Sequence, residues 1–177
     1  REIENKIDVI YRSLSNNSNL ENIPSIVPLH NLRSNQIGAG VGSKIHPFYK
    51  TMYDHTGVDI LAGLGMDVMV TANGVVSEVI RSDRGRGNQI FVDHGNGYIT
   101  VYAHLGDILV RRGERVKRGA VIGRVGNSGL SFAPHLHYEV LYNGKVMDPI
   151  NYFFVNLTPG MYKEMLISSM NTGQSLD

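Results

Sequence analysis

Two histidines, His135 and His137, are separated by a single leucine in a stretch rich in strand-forming residues. The stretch ends at Asn143-Gly144, which is typical of a hairpin turn, so we predict a β-strand. Because the side chains of a strand alternate between its two faces, both imidazoles point the same way. Two such imidazoles can bind a metal, or one can bind a metal while the other transfers protons. The pattern fits two polar residues on a solvated sheet face equally well.

His55 and Asp59 form a second pair, four residues apart. On a helix the two side chains would share a face, but Gly57 and the β-branched residues around it disfavour a helix. We therefore predict that His55 lies in a turn and that Asp59 begins a strand.

A third strand-like run ends at His104, which we expect to share a face with Thr100 and Tyr102. The other histidines lie beside Pro, Gly or Asn and are interpreted as turn or surface residues. They are His30, His46 and His94.

Four histidines and one aspartate could supply the parts of a metallohydrolase. Zinc in hydrolases commonly has three protein ligands from His, Asp or Glu, and keeps one position open for water. The metal acidifies that water and polarises a carbonyl, while nearby side chains handle the proton and the developing oxyanion. Composition and spacing alone leave a metal site and its absence about equally favoured.

The composition restricts the chemistry and the partners. The chain has 177 residues, 42% of them hydrophobic, which suggests one domain with a real core and some appendages. A net charge of +1 provides no basic field for nucleic acid, so no nucleic-acid partner is expected. The sequence contains no cysteine, so a metal site must use His, Asp or Glu.

We divide the sequence into three segments. Residues 1–22 are predicted to form a helix and a polar linker; the helix is either a packing arm or the end of a longer coiled coil upstream of Arg1. Residues 23–157 contain many short strand patterns with glycine turns between them, which predicts an all-β antiparallel core. Residues 158–177 are predicted to form a helix and a tail, with Thr158 as the N-cap.

Each predicted helix has one apolar stripe and would not be stable alone in water. We therefore predict that the two helices pack on each other, outside the β core. The stripes consist of Ile3, Ile7, Ile10 and Leu14 in the first helix and of Met161, Met165 and Leu166 in the second.

Four segments of the sequence, taken in order, resemble the M23 family of zinc metallopeptidases of the lysostaphin/LytM type. His55-Thr-Gly-Val-Asp59 matches the family's His-x-x-x-Asp motif, and Pro134-His-Leu-His137 matches its His-x-His motif. Residues 87–105 resemble the middle segment of the family, and residues 116–129 resemble the approach to the second motif. Several motifs in the right order are far more specific than any one alone.

The resemblance implies a mainly β fold: a strongly bent antiparallel β-sheet, similar to a duplicated hybrid motif, with short N-terminal and C-terminal helices. It implies one zinc ion (Zn2+) per chain, held by His55, Asp59 and His137. His104 and His135 correspond to two catalytic histidines that do not bind the metal, and either can be the general base.

The implied substrate is a peptide of bacterial peptidoglycan, either a cross-link or a stem peptide. The implied location is the cell envelope, on its periplasmic or extracellular side. A membrane tether or a coiled coil upstream of Arg1 is compatible with this location.

Two other functions compete with a zinc endopeptidase. A non-enzymatic relative would bind and activate another cell-wall hydrolase, but such relatives typically lose metal ligands, whereas this sequence keeps all five positions. A carbohydrate-binding or wall-binding β-module would leave His and Asp at these positions unexplained. Lys44, where the family usually has arginine, and Leu130 and Phe132, which replace more polar residues, are expected to alter the cleft wall or the substrate preference.

Overall fold

The computed structural model describes residue 5 and residues 20–177. Within these residues the strands form a nine-stranded antiparallel sheet and a separate two-stranded hairpin, which confirms the predicted mainly β fold. The strands are β1 (Gly42–Ile45), β2 (Met52–His55), β3 (Val58–Leu61), β4 (Asp67–Met69), β5 (Gly74–Ile80), β6 (Asn88–Asp93), β7 (Tyr98–Ile108), β8 (Arg115–Val116), β9 (Val121–Val125), β10 (His135–Tyr142) and β11 (Lys145–Met147). One α-helix, α1 (Pro159–Asn171), and three 3₁₀ helices, Leu20–Asn22, Ser34–Gln36 and Pro149–Tyr152, complete the described part.

Strand β10 is the centre of the large sheet. It pairs with β7 along one edge, and with β3 and then β11 along the other. Leu136, Tyr138 and Val140 are fully buried in the hydrophobic core. His135 and His137 alternate with these residues and face away from the core, so the predicted shared face of the two histidines is confirmed.

Strand β7 changes partners at His104. It pairs with β10 up to Ala103 and with β9 from Leu105 onward. His104 has a positive φ of 56°, in the left-handed region that few non-glycine residues adopt, and the register with β6 is interrupted at the same point. An irregularity of this kind bends a strand and breaks the alternation of its faces.

The prediction that Thr100, Tyr102 and His104 share a face is therefore wrong for His104. The Tyr102 hydroxyl accepts a hydrogen bond from Thr100 Oγ1 at 2.9 Å, and the Tyr102 ring packs against Tyr138 in the core. The His104 ring instead lies 4.8 Å from the His135 ring, on the opposite face of the sheet. The left-handed residue turns the His104 imidazole away from the core.

His55 ends strand β2 and does not lie in a turn, contrary to the prediction. The reason is that β2 pairs with β1 in a hairpin whose last matched residues are Gly42 and His55. Asp59 is the second residue of β3, in agreement with the predicted strand start. His30 and His46 lie in or beside turns, as expected.

Helix α1 begins as predicted, with the Thr158 hydroxyl accepting a hydrogen bond from the main-chain N–H of Met161 at 3.2 Å. Such a cap contributes about 1 kcal/mol. Near the other end, the buried Lys44 ammonium donates to the Ser169 carbonyl at 2.8 Å and ties the helix to β1. Gly40 allows this close approach, because a Cβ there would lie 2.7 Å from Ser169 Cβ.

The predicted first helix, and its packing on α1, lie outside the described residues. Among residues 20–177, no helix is both long enough and apolar enough to span a bilayer.

His94 follows β6 in the loop to β7, but it is buried and not a surface residue. Its Nδ1 lies 2.7 Å from the Asn73 carbonyl oxygen, and its Nε2 lies 2.9 Å from Thr100 Oγ1. Burial lowers the pKa of His94 below the ordinary value, which the hydrogen bond to Asn73 only partly offsets. The imidazole is therefore held neutral in the folded protein.

Acid should destabilise the protein through His94. Because the pKa is lower in the folded than in the unfolded state, where it is about 6.5, the contribution of His94 is fully present above pH 6.5 and is lost as the pH falls through the folded-state pKa. Urea titrations should therefore show a steeper loss of unfolding free energy below about pH 6.5 in the wild type than in His94→Gln. His30→Gln, at an exposed turn, is the control, and identical wild-type and His94→Gln profiles would contradict the assignment.

Candidate metal centre

Three side chains from three strands converge on the side of the sheet opposite the core. Asp59 is paired directly with His137 across the β3–β10 ladder, and the β1–β2 hairpin brings His55 beside them. His55 Nε2 lies 3.2 Å and His137 Nδ1 lies 3.4 Å from Asp59 Oδ1. All three residues are buried, so bulk water cannot solvate their polar atoms.

The second ring nitrogen of each of these imidazoles is held by an acceptor. His55 Nδ1 lies 2.9 Å from the Gly40 carbonyl oxygen, and His137 Nε2 lies 2.8 Å from Glu139 Oε1. Because neither a carbonyl nor a carboxylate can donate, these nitrogens carry hydrogen, and the opposite nitrogens face the cluster. Metal-binding histidines are usually oriented in this way.

The carboxylates of the cluster favour positive charge. Burial by itself lowers the pKa of His55, but hydrogen bonds to Asp177 and Asp59 outweigh it and raise the pKa to about 9. Burial likewise opposes charge on His137, yet the charge of Asp177 and the hydrogen bonds to the carboxylates raise its pKa well above the ordinary value. A field that stabilises protonated imidazoles also attracts a metal dication, which would replace the proton.

The donor set fits zinc. Two imidazole nitrogens and one carboxylate oxygen, without thiolate, are ligands that zinc and other first-row transition metals accept. Ligands about 2.0–2.1 Å from a tetrahedral zinc lie about 3.3 Å from one another. The separations of 3.2 Å and 3.4 Å from Asp59 Oδ1 agree with that spacing.

His104 and His135 lie beside the cluster with one free nitrogen each. His104 Nδ1 is 2.7 Å from the Ser128 carbonyl oxygen, and His135 Nδ1 is 2.7 Å from that of Ala133. Their Nε2 atoms are the two buried side-chain polar atoms without a hydrogen-bond partner among the described residues. Among the described residues, neither Nε2 atom is used in holding its ring in place.

Glu139 is a site residue that the sequence analysis missed. Besides His137, its carboxylate accepts a hydrogen bond from Thr56 Oγ1 at 2.6 Å and forms an ion pair with Arg86, whose Nη1 lies 2.6 Å from Oε1. Burial opposes ionisation of Glu139, but the hydrogen bond from His137 and the charges around it lower its pKa. The alternation of a strand places Glu139 on the same face as His137, which is the signal that could have identified it; its partner Arg86 comes from a distant loop.

The strand that carries His137 and Glu139 can approach the His55–Asp59 loop closely because residue 57 is glycine. A Cβ at Gly57 would lie 2.5 Å from the Tyr138 carbonyl oxygen and 2.9 Å from Glu139 Cγ. The glycine of the His-x-x-x-Asp segment therefore has a steric role in the site.

Asp177 is a second site residue that the sequence analysis did not identify. Its carboxylate oxygens lie 3.0 Å from His55 Nε2 and 3.2 Å from His137 Nδ1. Burial opposes its charge, but the neighbouring His137 holds the pKa of Asp177 well below the usual range. Donor atoms of His55, Asp59, His137 and Asp177 all lie within 4.8 Å of one another.

A pocket of about 220 Å³ opens next to the cluster. Leu130 lines it, as expected for a residue of the cleft wall, and Phe132 is 59% exposed nearby, with its ring 6.1 Å from that of Phe48. Lys44 does not line this pocket, since it holds helix α1. The lining residues are His46, Tyr53, Gly85, Arg86, Leu130 and Asp177.

Residues 53–149 match the model of Peptidase family M23. The chain is 39% identical over 114 residues to the peptidoglycan DD-endopeptidase ShyA of Vibrio cholerae, an alignment that covers 64% of this chain and 26% of ShyA. It is 35% identical over 111 residues to the murein hydrolase activator NlpD of Escherichia coli, covering 63% of this chain and 29% of NlpD. The alignments thus cover less than a third of either relative.

Two solved structures have the same fold. A zinc-containing peptidase from Vibrio cholerae superposes with a TM-score of 0.63 at 34% identity, covering 70% of this chain and 38% of that one. The catalytic domain of lysostaphin from Staphylococcus simulans superposes with a TM-score of 0.60 at 32% identity, covering 67% of this chain and 91% of that domain.

Proposed function

The chain belongs to peptidase family M23, and from this premise we propose that it is a zinc-dependent endopeptidase that cleaves peptide bonds in bacterial peptidoglycan. The observation that carries the proposal is the convergence of three buried donors with two imidazoles whose Nε2 atoms are free. Similarity to a peptidoglycan DD-endopeptidase supports the substrate class. A peptidoglycan substrate in turn supports a location in the cell envelope.

We assign His55 Nε2, Asp59 Oδ1 and His137 Nδ1 as the zinc ligands. When bound, zinc supplies a Lewis acid that polarises the scissile carbonyl and lowers the pKa of water in the site. The hydrogen bonds to Gly40 and Glu139 orient the two imidazoles, so that the ligand nitrogen of each ring faces the metal once the metal has replaced its proton.

His104 and His135 are assigned to proton transfer and oxyanion stabilisation. In the neutral imidazole, Nδ1–H is donated to a main-chain carbonyl, so the Nε2 lone pair can accept a proton from attacking water. In the protonated imidazole, Nε2–H can donate to the carbonyl oxygen as negative charge develops, or to the leaving amine. Each ring uses Nδ1 for a main-chain carbonyl and leaves Nε2 for the reaction, so either can take the role of base.

Activation of another wall hydrolase is the second candidate, favoured by the similarity to NlpD. An activator needs a docking surface and has no use for free imidazole nitrogens beside a metal site. The five convergent side chains therefore favour the enzyme.

Alanine variants should separate ligands from proton-transfer residues. Asp59→Ala and His137→Ala should lose most of the zinc, because each removes one of the assigned ligands. His104→Ala and His135→Ala should keep about one zinc per chain and lose about a hundredfold or more in peptidoglycan cleavage. Zinc is measured by mass spectrometry of the purified protein, and cleavage by the muropeptides released, with His30→Ala as the control.

Loss of zinc from His104→Ala or His135→Ala would contradict the ligand assignment. Zinc-loaded wild type that releases no muropeptides, yet stimulates a second wall hydrolase, would favour the activator.

Glu139→Gln should weaken zinc binding about 10–100-fold, the usual effect of removing a partner that orients a ligand histidine. The amide cannot supply the negative charge that holds His137 Nε2–H. Competition with a chromophoric chelator measures the affinity. Glu78→Gln, at an exposed position of β5, makes the same chemical change as a control, and equal affinities in both variants would exclude this role for Glu139.

A further inference from the structure

The chain returns to the site after helix α1. Residues 172–177, which we call the return segment, run beside β1: Gln174 forms a parallel bridge with Ile45. The main-chain N–H of Ile45 donates to the Gly173 carbonyl at 2.7 Å, and the N–H of Ser175 donates to the Ile45 carbonyl at 3.1 Å. The return segment therefore pairs with the free edge of β1 through a single parallel bridge.

Further contacts fix the end of the return segment over the cluster. The Leu176 N–H donates to Asp59 Oδ2 at 2.8 Å, which leaves Oδ1 for the histidines. The Phe132 N–H donates to the Leu176 carbonyl at 2.8 Å, and the Tyr53 hydroxyl donates to the main-chain oxygen of Asp177 at 2.8 Å. The segment is thus held from the hairpin, from β3 and from the loop before β10.

The Asp177 side chain, 8% exposed, points to the three assigned ligands and to the two free imidazoles. Its oxygens lie 3.0 Å from His55 Nε2 and 3.2 Å from His137 Nδ1. They lie 3.8 Å and 3.9 Å from the free Nε2 atoms of His135 and His104. The carboxylate therefore occupies the space where a scissile carbonyl would have to meet both groups.

We propose that Asp177 is a fourth zinc ligand and that the return segment keeps the site closed until the segment is displaced. This proposal rests on the metal site proposed above. Four protein ligands are typical of closed zinc sites, whereas catalytic sites keep one position open. Extended peptides commonly bind by adding a strand to a sheet edge, so the return segment also covers the edge of β1 that a peptide substrate would use. Asp177 lies outside residues 53–149, which match the family model.

Asp177→Asn tests the proposal, because the amide keeps the shape of the side chain and is a much weaker ligand. Asp83→Asn, at an exposed loop position, is the matched control. In the cobalt-substituted full chain, the visible absorption of Co²⁺ should change in Asp177→Asn because water replaces a carboxylate oxygen. Transfer of zinc to a chelator should be at least about tenfold faster, and peptidoglycan cleavage should rise severalfold.

An unchanged cobalt spectrum together with an unchanged rate of zinc transfer would overturn the proposal, whatever happens to cleavage. If neither the wild type nor Asp177→Asn digests peptidoglycan, the proposed function fails, while the cobalt spectrum and the transfer rate still decide whether Asp177 binds the metal.

Discussion

The antiparallel pairing of β3 with β10 sets Asp59 directly opposite His137, and the rest of the site depends on this register. A slip by one residue would turn His137 into the core and Leu136 into the site. The register is held by burial of the alternate residues of β10, each large apolar side chain contributing about 1.5–3 kcal/mol. Hydrophobic packing on one face of β10 thus sets the positions of the polar groups on the other.

Each imidazole of the site is oriented by a hydrogen bond from the nitrogen that faces away from the cluster. His55, His104 and His135 use main-chain carbonyls, whereas His137 uses a carboxylate. These three acceptors are the main-chain oxygens of Gly40, Ser128 and Ala133, which lie in loops, so the course of the backbone sets the orientation of the three rings. The orientation of the fourth ring depends on the side chain of Glu139, which is itself held by Thr56 and Arg86.

Local patterns predicted much of the fold and part of the site. The alternation of side chains along a strand was enough to predict that His135 and His137 share a face. The preference of threonine for the N-cap was enough to predict where α1 begins. The same alternation failed at His104, because the left-handed turn there reflects pairing with three other strands. The strand at His55 depends on its pairing with β1, and Asp177 lies over a hundred residues after His55 in the sequence. The sequence around either residue therefore does not predict its place in the site. Spacing alone left the metal site undecided, and the ligand assignment came from the resemblance to a family.

Anomalous diffraction from zinc-loaded crystals, recorded on both sides of the zinc absorption edge, tests the central claim most directly. One anomalous peak is expected in the site, about 2.0–2.2 Å from His55 Nε2, Asp59 Oδ1 and His137 Nδ1. The Nε2 atoms of His104 and His135 should lie outside bonding distance of that peak. A peak bonded to His104 or His135, or no peak beside Asp59, would contradict the ligand assignment.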